Sequence, residues 1–308
     1  MRIAVMGTGG VGGYFGARLA RGGSDVHFIA RGRHLAAMRE HGLRVKSSLG
    51  DIHITAPRTT DQPASIGPVD LVLFAVKLWD TEAAAKAIMP LLGPNTAVIS
   101  FQNGVQKDDV LRHMLGDQAV VGGVCYIAAV LSGPGEVQHT GTMQKLVFGE
   151  YDGSRSERVQ HFLDVCLEAG IDAAISADIR RAIWEKFVLL VGLSGTTTTI
   201  RKSIGPIRSN AQTRAFLADA MREVVAVGRA QEVQLDPDFA EDRLAFCDGL
   251  PAEMTSSMHQ DLERGNRLEV AWLSGDVVER GKATGIPTPV NRAIYDVLVL
   301  HAEGRPKP

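Results

Sequence analysis

The sequence is short of several things, and each shortage narrows its function. It has only three cysteines, Cys125, Cys166 and Cys247, far apart and in no CxxC pair. That argues against a disulfide framework or a structural zinc site and fits a reducing compartment. No apolar run approaches the ~18 residues that a membrane span requires. Neither sign of charge dominates: 33 Lys and Arg against 35 Asp and Glu leave a formal net charge of −2. No general attraction to nucleic acid or anionic membrane is expected from that balance. The nine histidines show no HExxH or other ligand spacing, so no metal is expected. Gly192-Leu193-Ser194-Gly195 is not a GxSxG elbow, which sets hydrolase chemistry aside. The start runs straight into a glycine loop, unlike a signal peptide, and a cytoplasmic location is expected.

What is present divides in two. At ~150 residues per domain, a 308-residue chain is expected to hold two domains. The first half alternates β-rich runs (2–6, 25–30, 69–76, 96–101) with helical patterns (11–22, 34–41, 81–92). Near-continuous Val, Ile and Leu runs predict a mostly parallel sheet covered on both faces. Residues 119–150 read instead as glycine-punctuated antiparallel strands turning at Ser132-Gly133-Pro134-Gly135. A helix over 155–169 and a strand over 171–175 follow, and the remainder is helical. Asp178 is the expected N-cap of a helix over 179–193, and further helices are expected over 211–231, 268–283 and 290–302. Asp236 before Pro237 reads as N-cap and first position of a helix running to about 248. The switch from βα alternation to pure helix places the boundary near 170–178, giving domains 1–177 and 178–308. The tail 305–308 is expected to fray.

Gly7-Thr8-Gly9-Gly10-Val11-Gly12 matches G-x-G-x-x-G between a strand and a helix, where glycines let backbone approach a pyrophosphate. An NAD site commonly has an acid at the end of the second strand; here stands Ile29-Ala30-Arg31-Gly32-Arg33. Arg31, with Arg33 in reserve, suits a 2′-phosphate, so NADP(H) is the expected cofactor. Lys77 and Asn103-Gly104 follow two other strands, at the sheet edge where ligands of such folds bind. In the helical half, Lys186 shares a face with Ile183, Leu189, Leu190 and Leu193. Such a lysine either snorkels to water or serves as a proton donor or base. Glu269, beside Trp272, Leu273 and Asp276, is either a solvated first-turn carboxylate or the partner of a cation such as Lys186. Ser256-Ser257-Met258 brings hydroxyls nearby, for capping or for binding.

Together these residues resemble the ketopantoate reductases (2-dehydropantoate 2-reductases) over essentially the whole chain. The resemblance rests on the Gly7–Gly12 loop, Lys77, Asn103-Gly104, Trp184-x-Lys186, Ser256-Ser257-Met258, Glu269 and Gly285-Ile286-Pro287-Thr288-Pro289-x-Asn291. It implies an NADPH-dependent enzyme of pantothenate biosynthesis. Its fold would be an α/β Rossmann domain, a mostly parallel sheet with added antiparallel strands. An all-α domain like that of 6-phosphogluconate dehydrogenase would follow, with the active site in the cleft between the two. By position, Lys186 matches the general acid. Glu269 matches the acid that orders this lysine at the substrate's oxygen side and counts among the cofactor contacts. Asn103 matches an asparagine near nicotinamide and substrate, Lys77 a cofactor-side lysine, Ser257 a substrate contact and Arg31 the 2′-phosphate arginine. Gly7, Gly9, Gly10, Val11 and Gly12 form the cofactor loop. The family pattern has asparagines one and two turns after the lysine, facing substrate, where this chain has Leu190 and Ser194. It has Thr or Ser before the acid, where this chain has Leu268.

The expected activity is thus reduction of 2-dehydropantoate, a small 2-keto acid, to pantoate. The alternatives are reduction of another 2-keto acid and a non-catalytic NADP(H) sensor. Long helices in the second half are compatible with a homodimer.

Overall fold

The apolar runs of the first half assemble one ten-stranded sheet. The structure is a computed structural model and describes residues 1–305; of the tail 305–308 expected to fray, Arg305 donates its N–H to the Gly265 carbonyl at 2.9 Å and 306–308 lie outside the described residues. In chain order the first part contains β1 (Arg2–Met6), α1 (Gly10–Arg21), β2 (Asp25–Ile29), α2 (Gly32–His41), β3 (Leu43–Lys46), β4 (Ile52–Ile54) and β5 (Arg58–Thr60). Then come β6 (Val69–Phe74), α3 (Thr81–Ile88), β7 (Leu92–Ser100), α4 (Lys107–Leu115), β8 (Val120–Gly133), β9 (Glu136–Gly149), α5 (Glu157–Glu168) and β10 (Asp172–Ile175). The strand order is β4-β3-β9-β8-β7-β6-β1-β2-β5, with β10 beside β9. From β5 across to β8 every pairing is parallel; β8 with β9 and β3 with β4 are antiparallel.

Side chains that alternate along these strands fill two cores, one on each face. Ile3, Val5, Leu71, Leu73 and Ile99 join one cluster, with Phe15 and Phe28. Ala4, Met6, Val72, Phe74 and Val98 join the other, with Ala84 and Ile88. This is the expected mostly parallel sheet with antiparallel additions. The short strands β3, β4 and β5 were not expected. Pro90 ends the α3 pattern early, and a 3-10 turn at Met89–Leu91 takes the chain into β7.

The helical part contains α6 (Ile179–Ile200), α7 (Ile204–Ser209), α8 (Ala211–Ala230), α9 (Phe239–Asp248), α10 (Ser257–Arg264), α11 (Ser274–Thr284) and α12 (Pro289–Leu298). Asp178 caps α6 as expected, accepting Arg181 N–H at 2.9 Å. α8 packs against α7, α9, α11 and α12. The Glu223 carboxylate on α8 takes the N-terminal amides of Val290 and Asn291 at 2.7 and 2.8 Å and the Asn291 amide group at 2.8 Å. The closing Gly285–Asn291 motif is thus a clamp of α12 on α8, with Asn291 fully buried.

Two helix starts differ from expectation. Asp236 Oδ1 accepts Asp238 N–H at 2.9 Å, and this turn delays α9 to Phe239. The helix expected over 268–283 begins only at Ser274, after a 3-10 turn at Val270–Trp272 and a break at Leu273 (φ −104°, ψ −100°). The chain folds into two compact units: Met1–Asn103 with Lys107–Ala182 form the first, and Gly104–Gln106 with the residues from Ile183 onward form the second. No helix among the described residues is long and apolar enough to cross a membrane.

Candidate active site

In the first unit, four neighbouring parallel strands, β7, β6, β1 and β2, end at the candidate residues. The glycine loop follows β1, Arg31 follows β2, Lys77 follows β6 and Asn103 follows β7. The sheet therefore gathers the cofactor-side candidates along one carboxyl edge, where ligands of such folds bind.

The glycines of the loop do different work. Gly7 has φ +95° and lies against Val76, where a Cβ would come within 2.8 Å of backbone. A Cβ on Gly12 would stand 2.2 Å from the Gly7 carbonyl, and one on Gly10 would stand 2.2 Å from the Ala129 carbonyl of β8. Those three positions are required by the protein's own packing. Gly9 is not: its φ is −83°, and a Cβ there would meet nothing within 4 Å. The open side of the loop is thus at Gly9, the N-cap of α1. Thr8 fastens the loop to β2 by donating its N–H and hydroxyl to the Ile29 carbonyl at 3.2 and 3.0 Å. No acidic side chain occupies the first turn of α1. Its leading amides are therefore suited to an anion such as a pyrophosphate.

Arg31 is the exposed N-cap residue of α2, with Arg33 exposed beside it; no acid stands at the end of β2 or in the first turn of α2. His34, in that first turn, accepts Gly135 N–H on Nδ1 at 2.9 Å, which holds α2 to the β8–β9 turn. Burial lowers the His34 pKa below the ordinary imidazole value. Lys77 is exposed at the N-cap of a 3-10 turn (Leu78–Asp80), its ammonium 5.6 Å from the Trp79 ring centroid. Asn103 is half-buried and is followed by Gly104 at φ +83°, so a sharp turn ends this edge.

The first two residues of α4 belong to a buried ionic cluster that the sequence did not disclose. Lys107 is 1% exposed and donates to the carbonyls of Ser100 and Gly123, each at 2.9 Å, and to both Asp108 oxygens at 3.0 Å. Tyr151 donates to Asp108 Oδ2 at 2.7 Å. Burial raises the Asp108 pKa against the opposing pull of Lys107, and burial and Asp108 hold the Tyr151 phenol protonated. The cluster ties the end of β7 to the early part of β8.

In the second unit, α6 has two kinds of surface. Trp184, Phe187, Val188 and Val191 are buried, while Lys186, Leu189, Leu190 and Leu193 are only half-buried. α6 thus keeps an apolar stripe partly open, with an ammonium in it. Two turns beyond Lys186, Ser194 is 1% exposed and its Oγ has no hydrogen-bond partner among the described residues. Ser256 caps α10, accepting His259 N–H at 3.0 Å, and its Oγ lies 3.0 Å from Thr197 Oγ1 on α6. That contact brings Ser257, the exposed first residue of α10, close to α6.

Glu269 is 8% exposed and precedes the 3-10 turn instead of opening a helix. Its carbonyl accepts Trp272 and Leu273 N–H at 3.0 and 3.1 Å. Leu268 N–H donates to the Ala302 carbonyl at 2.8 Å, and the Leu268 side chain is buried. From the segment 104–106 of this unit, Gln106 Nε2 donates to the Trp272 carbonyl at 3.2 Å. Gln106 was not singled out from the sequence. Its place three residues after Asn103 was the available signal.

Known proteins resemble this chain in sequence and fold. The model of the family described as ketopantoate reductase PanE/ApbA matches residues 3–153, and that of its C-terminal domain matches residues 178–302. A 2-dehydropantoate 2-reductase of Archaeoglobus fulgidus is 33% identical over 298 residues, covering 96% of each chain. A crystal structure of a PanE/ApbA family ketopantoate reductase from Ralstonia eutropha JMP134 superposes with a TM-score of 0.89 at 35% identity, over 98% of each chain. That of a 2-dehydropantoate 2-reductase from Geobacter metallireducens gives 0.91 at 30% identity, over 97% of this chain and 99% of the other. The two models match both halves in order and the relatives span nearly the full length, so the chain belongs to the ketopantoate reductase family of oxidoreductases.

Proposed function

We propose that the protein reduces the ketone of a 2-keto acid with NADPH, and that 2-dehydropantoate is the first candidate substrate. The observation that carries this reading is Lys186, an ammonium set in a half-open apolar stripe of α6. A cation so placed favours a developing alkoxide and can donate the proton that completes reduction. In this reading residues 1–177 hold the nucleotide and residues 178–308 the substrate.

When bound, the reduced nicotinamide supplies a hydride to the ketone carbon. The chain's own residues do the rest. Gly7, Gly9, Gly10, Val11 and Gly12 present backbone to the pyrophosphate, Arg31 pairs with the 2′-phosphate, and Lys77 adds positive charge on the cofactor side. Asn103 binds both cofactor and substrate and orients one beside the other. Lys186 Nζ protonates the substrate oxygen, and Glu269 orders that ammonium on the oxygen side while touching the cofactor. Ser257 contacts the substrate, and Ser194 offers the buried hydroxyl that has no hydrogen-bond partner among the described residues. Supporting the choice of NADPH are the exposed Arg31 and the missing acid after β2.

Leu190, half-buried four residues after Lys186, supports a second reading in which the substrate is a more apolar 2-keto acid. NADPH oxidation against a panel of 2-keto acids including 2-dehydropantoate separates the cases. Preferred turnover of 2-dehydropantoate supports the first, preference for an apolar member the second, and no turnover of any member a non-catalytic NADP(H)-binding protein. Arg31→Ala is expected to weaken NADPH at least ~10-fold more than NADH, the scale of one lost charge-assisted contact. Equal losses would refute the 2′-phosphate role.

A further inference from the structure

Two turns leave adjacent parallel strands of the first unit, residues 75–80 after β6 and 101–103 after β7, and a chain of buried hydrogen bonds joins them. Thr81 donates its hydroxyl to the Leu78 carbonyl at 2.7 Å and so presents a lone pair to Gln102 Nε2, which donates to it at 2.8 Å. The Gln102 Oε1 then accepts the Ser100 hydroxyl at 3.0 Å, and Ser100 Oγ accepts Gln102 N–H at 3.3 Å. Thr81, Gln102 and Ser100 are 5%, 6% and 0% exposed, so no bulk water competes. The Ser100 carbonyl is itself held by Lys107. In this arrangement the Thr81 hydroxyl donates to Leu78 and the Ser100 hydroxyl to Gln102, so the Gln102 amide nitrogen faces Thr81 and its oxygen faces Ser100. Leu78 is the neighbour of Lys77, and Gln102 is the neighbour of Asn103.

We propose that Thr81 and Gln102 are positioning residues that lock the Lys77 turn to the Asn103 turn and so preset the cofactor-side edge. This rests on the cofactor-side roles proposed above for Lys77 and Asn103. A buried network of this kind resists rearrangement, because breaking a link strands a polar group in a dry site. The two turns therefore keep their spacing without help from a ligand, and binding loses less freedom than it would with two independent loops.

The test uses the full-length protein and the pair Thr81→Val and Thr81→Ser. Valine keeps the shape and removes both hydrogen bonds; serine keeps the hydroxyl. Thr81→Val is expected to raise the NADPH Kd about tenfold, the scale of one buried hydrogen bond, and Thr81→Ser to stay within about twofold of wild type. Amide hydrogen exchange at residues 78–80 and 101–104 is expected to quicken in Thr81→Val only. If Thr81→Val does not fold, Gln102→Met removes the amide at similar length and carries the same expectation. Lys77→Ala and Asn103→Ala are measured alongside. If these weaken NADPH while Thr81→Val merely lowers the melting temperature, with NADPH affinity and exchange at both turns as in wild type, positioning is overturned. If Lys77→Ala and Asn103→Ala leave NADPH binding unchanged, the roles of those two residues fail instead. The exchange data then decide the link: quickening at both turns upholds it, and unchanged exchange overturns it.

Discussion

Alanine at two neighbouring glycines should give opposite results. A Cβ on Gly10 would stand 2.2 Å from the Ala129 carbonyl oxygen, 2.6 Å from its carbon and 2.9 Å from Val130 N, all backbone of β8. Backbone cannot rotate out of the way as a side chain does, so α1 or β8 must shift. Overpacking by side chains costs about 1–3 kcal/mol, and this obstacle places Gly10→Ala at ~3 kcal/mol or more. At the scaling for a unit of this size, that lowers Tm by about 6–12 °C. Gly9→Ala meets nothing within 4 Å and keeps an allowed φ of −83°. Alanine is a poorer N-cap than glycine by under ~1 kcal/mol, but it removes ~0.4–1 kcal/mol of unfolded-chain freedom, and the two offset to within about 0.5 kcal/mol. Its methyl instead occupies the open side of the loop, where close backbone approach to a pyrophosphate is needed, and should weaken NADPH about tenfold or more. Thermal unfolding of the ligand-free variants and NADPH fluorescence titration are the assays. Equal Tm losses, or an unchanged NADPH Kd for Gly9→Ala, would refute the division of labour among these glycines.

Three further outcomes are expected. Lys186→Ala should abolish turnover of the substrate found in the keto-acid panel while leaving NADPH Kd within about threefold; retained turnover contradicts the general-acid role. Asn291→Ala should destabilise by roughly 2–4 kcal/mol in denaturant unfolding, since it opens a buried site and removes bonds to Glu223 and the Ala220 carbonyl at 2.8 and 3.0 Å; a loss under ~0.5 kcal/mol contradicts the clamp. Burial lowers the His34 pKa from an ordinary value of 6.5, so the unfolded chain takes up its proton first as pH falls. That part of the stability is complete above about pH 6.5 and lost as pH falls toward the folded pKa. His34→Gln should flatten the Tm-against-pH profile there, and an unchanged profile would refute the contribution.

Much of this was legible in residue patterns because local and tertiary preferences agree. The β1–loop–α1 unit, the missing acid after β2 and the Asp178 cap each follow from neighbours in sequence. The segment 268–273 was misread because its helical periodicity is genuine but its partners are remote. Trp272 gives its carbonyl to Gln106 and Leu268 its N–H to Ala302, and the chain breaks at Leu273. Leu268, a departure from the family pattern, is explained by burial. The Lys107–Asp108–Tyr151 cluster and the Thr81–Gln102 link were hidden because single polar residues reveal their burial only when strands distant in sequence are paired.

The approach of Ala129 to Gly10 also ties the loop to a surface remote in sequence. The loop emerges early, but the surface that presses on it belongs to a hairpin made far downstream. Until β8 docks, the amino-terminal βαβ segment carries every glycine of its motif while one flank of the turn remains uncovered. The finished packing around this turn is therefore a product of long-range closure, although the motif itself is local.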